Sequence, residues 1–212
     1  MANQESSSSL YKNVSGSTLS LADKVRALHT VGDVDGVFAL FDSVPTPPTT
    51  TLCCVNPSTS LIELVASNLH SVLPVGGSVL SIGSGSGLFE HLLNHKLVGT
   101  STQVIGIDVA PINVFLQSES FYCVRTDQDP STIVMENIHV LLSVYLRRPS
   151  LLLDYISFFS SVSAVVLIGP RSEDPFQEKV VAQQLESSGW TQTVIDSPSL
   201  ARWDILQILK KK

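Results

Sequence analysis

The stretch Ser78–Glu90, Ser-Val-Leu-Ser-Ile-Gly-Ser-Gly-Ser-Gly-Leu-Phe-Glu, limits what this chain can fold into more than any other. Val79, Leu80 and Ile82 make a short apolar run of strand character. It leads straight into glycines at every second position, Gly83, Gly85 and Gly87. An apolar-periodic segment follows, carrying Leu88, Phe89, Leu92 and Leu93. Buried strand, tight loop and helix, in that order, open a nucleotide-binding α/β sheet. Glycines let the backbone turn sharply and approach a ligand with no Cβ in between. The helix start presents N–H groups and the positive end of its dipole to an anion.

The rest of the chain is read outward from this unit. Residues 1–16 are Ser-rich and polar and read as a flexible leader. Residues 17–55 read as an N-terminal helical cap and a Pro/Thr-rich linker. Ser20 caps a helix striped by Leu21, Val25 and Leu28, a second apolar piece spans Val37 to Val44, and Pro45 to Thr51 breaks regular structure. An α/β domain is expected over residues 56–212. Asn56-Pro57 predicts the start of a helix with Leu61, Leu64, Val65, Leu69 and Val72 at helical spacing. Strands are predicted at 78–82, 103–108, 121–125, 138–145 and 164–168, with helical segments between them. Asp174-Pro175-Phe176-Gln177 has the pattern of a capping box opening a helix that stops at Gly189. Two closing strands are predicted near 191–195 and 204–209 with no helix between them, which makes one of them antiparallel. The expected fold is therefore a Rossmann-like, mostly parallel seven-strand sheet with helices on both faces, its last strand antiparallel, under an N-terminal helical cap.

Composition restricts the partners. The chain has 212 residues, 43% of them hydrophobic, enough for one large core. Its net charge of -6 and the lack of a basic stripe argue against a nucleic-acid backbone as partner. No apolar run is long enough to span a bilayer, and the first residues carry no apolar signal core. The three cysteines, Cys53, Cys54 and Cys123, form no metal-ligand spacing and no disulfide framework. A cytoplasmic protein without metal follows as the expectation.

Three cofactor classes compete for the glycine loop. The dinucleotide fingerprint needs a small residue where Leu88 stands, and a Walker loop needs a Gly-Lys-Ser/Thr that is absent. The run G-x-G-x-G at Gly83, Gly85 and Gly87 instead resembles the first motif of the class I S-adenosylmethionine-dependent methyltransferases. The resemblance extends over residues 56–212 through the order of parts. It implies S-adenosylmethionine as cofactor, held by Ser81, Gly83, Ser84, Gly85, Gly87, Asp108 and Asp127. Asp108 closes the second strand, where the family's acidic residue binds the ribose hydroxyls; Asp127 follows the third, where many members contact the adenine. Ser81 departs from the pattern, since the family has Asp or Glu there to help hold the amino group of the methionine portion. The motif of nucleic-acid amino-methylating members and the acidic metal ligands of catechol-type members are both missing.

The function implied is metal-free, in-line methyl transfer to a small, fairly apolar molecule, with oxygen as one acceptor atom. The alternatives are a methyltransferase-like cyclase or isomerase, a non-catalytic protein that keeps the fold, and a nicotinamide-dependent oxidoreductase. His29, in the N-terminal cover, and Tyr145, after the fourth strand, are the catalytic candidates. Arg147, Arg171 and Glu173 lie at the same edge and are able to orient a substrate. His91 and His95, four apart on one helix, lack an evident third metal ligand.

Overall fold

A computed structural model describes residues 19–44, 50–124 and 137–212 of the chain. The apolar runs become seven strands: β1 (Ser78–Ile82), β2 (Val104–Asp108), β3 (Phe121–Cys123), β4 (Ile138–Val144), β5 (Ala164–Pro170), β6 (Trp190–Ile195) and β7 (Asp204–Lys211). They form one sheet in the order β3-β2-β1-β4-β5-β7-β6. β1 to β5 pair in parallel, and β7 runs antiparallel to both β5 and β6. The expected mostly parallel seven-strand sheet with an antiparallel last strand is the sheet observed.

Among the described residues six α-helices accompany it: α1 (Leu21–Thr30), α2 (Val34–Ser43), α3 (Thr59–Val72), α4 (Leu88–Lys96), α5 (Ser150–Phe158) and α6 (Lys179–Ser187). A parallel sheet buries both faces, which is why its central strands are apolar throughout. Alternate residues of β1 serve opposite cores. Val79 packs with α1 to α4, whereas Leu80 and Ile82 pack with α5 and α6. Val25, Val37, Phe38 and Phe41 of the first two helices share the core of α3 and α4. Asn94 sets α4 against the sheet: its side chain donates to the Val104 carbonyl at 2.9 Å and accepts from the Val104 amide at 2.8 Å.

Some boundaries differ from expectation. α3 is capped by Ser58, whose hydroxyl accepts from Leu61 N, and not by Asn56, which is buried with its amide donating to the Phe41 carbonyl. Asp174 caps only a 3-10 turn over Pro175–Gln177, and α6 begins afterwards at Lys179 without a side-chain cap. Its carboxylate accepts from Phe176 N and from the Gln192 side chain, so it serves the turn and β6 together. β4 ends one residue early because Tyr145 takes the left-handed conformation, φ 62°. Among the described residues no helix is long and apolar enough to cross a membrane.

Candidate functional site

β1 continues to β2 on one side and has β4 as its neighbour on the other, so the strand order reverses at β1. Beyond the carboxyl ends of such strands an open α/β sheet leaves a crevice for ligands. The glycine loop lies there. Gly83, Gly85 and Gly87 have φ of 73°, 57° and 78°, all in the left-handed region that disfavours other residues. Gly87 has a second constraint. A Cβ on it would stand 2.6 Å from Asn113 Oδ1 and 2.9 Å from Leu116 Cγ. Ser84 packs over Gly106 of β2, where an added Cβ would stand 2.5 Å from its Oγ.

Asp108, at the end of β2, reaches this loop. Its Oδ2 accepts from the Gly85 amide at 2.9 Å and its Oδ1 from the Ala110 amide at 3.0 Å. The two bonds fix the carboxylate beside the glycines, and each oxygen keeps a further lone pair for a ligand hydroxyl. Asp127 lies outside the described residues.

Ser81 is fully buried, and its hydroxyl donates to Glu90 Oε1 at 2.6 Å. Glu90 belongs to the first turn of α4 and is 2% exposed. Burial pushes its carboxyl up to about 7, against the opposing hydrogen bonds from Ser81 and from its own backbone amide. Its Oε2 has no hydrogen-bond partner among the described residues. A carboxylate from the helix thus stands against the Ser81 side chain. Nothing in a periodic reading marks it, since Glu90 sits within the apolar run Leu88–Leu93. The available signal is the pair itself, an uncharged Ser81 and an acid one turn past the last glycine. A strap from the N-terminal segment lies alongside: Ser86 Oγ donates to the Leu52 carbonyl at 2.6 Å, and the Cys53 thiol, raised to about 12 mainly by burial, also feels Glu90.

The other half of the crevice gathers a second set of polar groups. The Tyr145 hydroxyl donates to Asp204, 2.9 and 3.1 Å from the two carboxylate oxygens. Burial, then this hydrogen bond, raises the phenol to about 12, and burial raises the Asp204 carboxyl as well. Arg147 and Glu173 sit close enough to act on the Cys54 thiol, as does Asp204. Arg171 ion-pairs with Asp196 across the β6–β7 connection. An open cleft of about 230 Å³ adjoins this group, lined by Arg171, Pro198, Leu200, Ala201, Arg202 and Asp204.

His29 is not in that half. Its ring packs edge-on to His91 at 4.7 Å and against Phe115 at 4.8 Å, beside α4. Burial lowers its basicity and takes His91 down to about 4. The pair packs α1 onto α4. His70 and His139 hold backbone carbonyls, of Ala66 and Asn137. Among the described residues no three His, Cys, Asp or Glu side chains group to hold a metal ion.

No protein-family model and no curated protein matches the chain. Solved structures do. It superposes on precorrin-6y C5,15-methyltransferase from Geobacter metallireducens GS-15 with a TM-score of 0.53 at 11% identity, over 77% of this chain and 92% of that one. With the CurJ carbon methyltransferase the TM-score is 0.51 at 12% identity, over 86% of this chain and 60% of the other. With its strand order, its glycine loop after β1 and an acid at the end of β2, the chain has the fold of the class I S-adenosylmethionine-dependent methyltransferases.

Proposed function

We propose that the protein binds S-adenosylmethionine at the β1–β4 switch point and methylates a small molecule. One observation supports this above the rest: the Asp108 carboxylate lies hydrogen-bonded to the Gly85 amide, at the strand end where a ribose-binding acid belongs. The residues fit the cofactor. Gly83, Gly85 and Gly87 would let the loop backbone approach the cofactor closely, Asp108 would accept from its two ribose hydroxyls, Ser84 would lie on the loop, and Ser81 would act from beneath it through Glu90. When bound, the cofactor supplies a methyl group already activated on a sulfonium. The protein's part is then to bind, to align the acceptor and to take up its proton.

Tyr145 and Asp204 are suited to the last task. The phenol donates to Asp204, so its oxygen remains able to accept a hydrogen bond from an acceptor O–H or N–H. A proton leaving the acceptor passes to the Tyr145 oxygen while the phenol proton passes to Asp204. The raised Asp204 carboxyl favours receiving it. The adjoining cleft has room for a small molecule, and its lining mixes Pro198, Leu200 and Ala201 with two arginines, Arg171 and Arg202, and two acids, Asp196 and Asp204. This lining suits a small molecule with an apolar body and a polar end. With a net charge of -6 and no basic stripe, a nucleic-acid substrate is disfavoured.

Titration calorimetry with S-adenosylmethionine, S-adenosylhomocysteine and NAD tests the reading. The first two are expected to bind and NAD is not. Asp108→Ala is expected to weaken S-adenosylhomocysteine binding at least about tenfold, through loss of two charge-assisted bonds. Binding without turnover over a panel of small hydroxyl and amine compounds would favour the non-transferring alternative.

A further inference from the structure

We propose that Glu90 is the anionic anchor for the ammonium group of the cofactor's methionine portion, supplied from α4 in place of an acid at the end of β1. The inference rests on the cofactor reading and assigns a residue within it.

Three observations carry it. Glu90 is a carboxylate with 2% exposure, a placement that strongly disfavours its charged form unless a cation or several donors face it. Its hydrogen bonding is incomplete: Ser81 donates to Oε1 and its own backbone amide acts on the carboxyl, but Oε2 has no partner among the described residues. An ionised carboxylate accepts only, so the missing partner is a donor, and a protonated amine brings both donors and charge. Finally, the orphan oxygen belongs to the first turn of the helix that Gly87 opens, at the side chain of the residue preceding Ile82 and Gly83. A ligand lying along the glycine loop has its polar end within reach of that turn.

The surroundings narrow the choice of cation. A metal is disfavoured, because no three ligating side chains gather among the described residues. Among the described residues no basic side chain pairs with Glu90, and Lys96, on the same helix, is engaged with Glu63 at 2.9 Å. The titratable groups that act on Glu90 are Asp108 from β2 and Cys53 from the strap, and both oppose its ionisation or share its burial. The strap at Leu52 and Cys53 is held through Ser86 Oγ, and the Cys53 thiol feels the Glu90 charge. With a carboxyl near 7 in the free protein, an arriving ammonium displaces a proton.

Calorimetry with two probes separates the outcomes. S-adenosylhomocysteine carries the ammonium; 5′-methylthioadenosine keeps adenine and ribose and lacks the amino-acid portion. Glu90→Gln, close in shape and still able to accept from Ser81, is expected to weaken the first at least tenfold and the second less than twofold. The exchanged variant Ser81→Asp/Glu90→Ser is expected to restore the first probe to within about threefold of wild type. Near pH 6.5 the wild type should release protons on binding S-adenosylhomocysteine, seen as a buffer-dependent enthalpy, and not on binding 5′-methylthioadenosine. This readout needs no variant to fold. Loss of affinity for both probes alike in Glu90→Gln, or unchanged affinity for both, overturns the anchor alone. Failure of the wild type to bind either probe overturns the cofactor reading and the anchor with it.

Discussion

Gly85 and Gly87 show how two residues of one motif differ in what they tolerate. Both have positive φ, 57° and 78°, which costs a residue with a Cβ about 1–2 kcal/mol. Around Gly85 nothing lies within 4 Å of an added Cβ, so Gly85→Ala meets only that backbone cost. At Gly87 the new carbon would press on Asn113 Oδ1 and Leu116, the residues that fold the loop after β2. Asn113 is itself tied to the backbone of Leu116 in both directions, at 2.8 and 3.0 Å, so it has little room to move. Gly87→Ala is expected to lower unfolding free energy by about 3 kcal/mol or more, against about 1 for Gly85→Ala, as overpacking adds to strain. Urea unfolding of the two variants checks the ratio; equal losses would place the cost in the backbone alone. The glycine spacing and Asp108 were legible in the sequence because each obeys a local rule. Glu90 was not, since burial of a charged side chain within an apolar run depends on what the facing strand offers, here the Ser81 hydroxyl.

At the scale of elements, the strands were legible and several ends were not. Apolar runs such as Val104–Ile107 and Ala164–Ile168 have no alternative to burial in a parallel sheet, whereas an end depends on single contacts. Ser58 and Asn56 both have capping chemistry, and tertiary contact decided between them by burying Asn56 under the Phe41 carbonyl. Asp174 was drawn into a 3-10 turn because β6 offered it Gln192. Tyr145 is the informative case. A left-handed tyrosine is rare, and such strain persists where the surroundings over-determine it. Here its amide donates to the Ile168 carbonyl at 2.6 Å, and its hydroxyl ties the end of β4 to the start of β7. Tyr145→Phe removes the donor and leaves the buried Asp204 carboxylate uncompensated, an expected loss of about 1–3 kcal/mol. Asp204→Asn keeps an acceptor for the phenol and should cost less than about 1 kcal/mol. If the two variants lose equally, the hydrogen bond depends on the carboxylate's charge, and an amide oxygen does not replace it. On the proposed proton transfer, turnover should fall in both variants even under conditions where each is fully folded.

For the molecule as a whole, two groups on α4, the buried Glu90 and the half-buried His91, give stability opposite dependences on pH. Glu90 has a folded carboxyl near 7 against 4.5 unfolded. Between those values the folded state holds the proton and the unfolded state has lost it, so stability falls as pH rises through the window. His91 is lowered to about 4 from 6.5, with burial and the neighbouring His29 and His95 as causes. Between pH 4 and 6.5 the unfolded state binds the proton and the folded state does not, so this contribution rises with pH. Each slope reaches at most about 1.4 kcal/mol per pH unit, and from about pH 4.5 to 6.5 they oppose one another. His29, also lowered by burial, adds to the histidine side. The cancellation makes the wild type weakly pH-dependent in this range as far as α4 is concerned, and substitution of either group should expose the other. Relative to wild type, unfolding free energy of Glu90→Gln should climb from pH 4.5 to 7 by on the order of 3 kcal/mol and stay level above. That of His91→Phe, which keeps a ring against His29 and Phe115, should decline relative to wild type from pH 4.5 to 6.5. Urea unfolding at half-unit steps of pH measures both differences. Parallel curves for wild type and Glu90→Gln would mean that Glu90 is already ionised in the fold, and so already paired with a donor or cation. His91→Phe is the control for that outcome, because its slope depends on α1 packing against α4 and not on the ligand site.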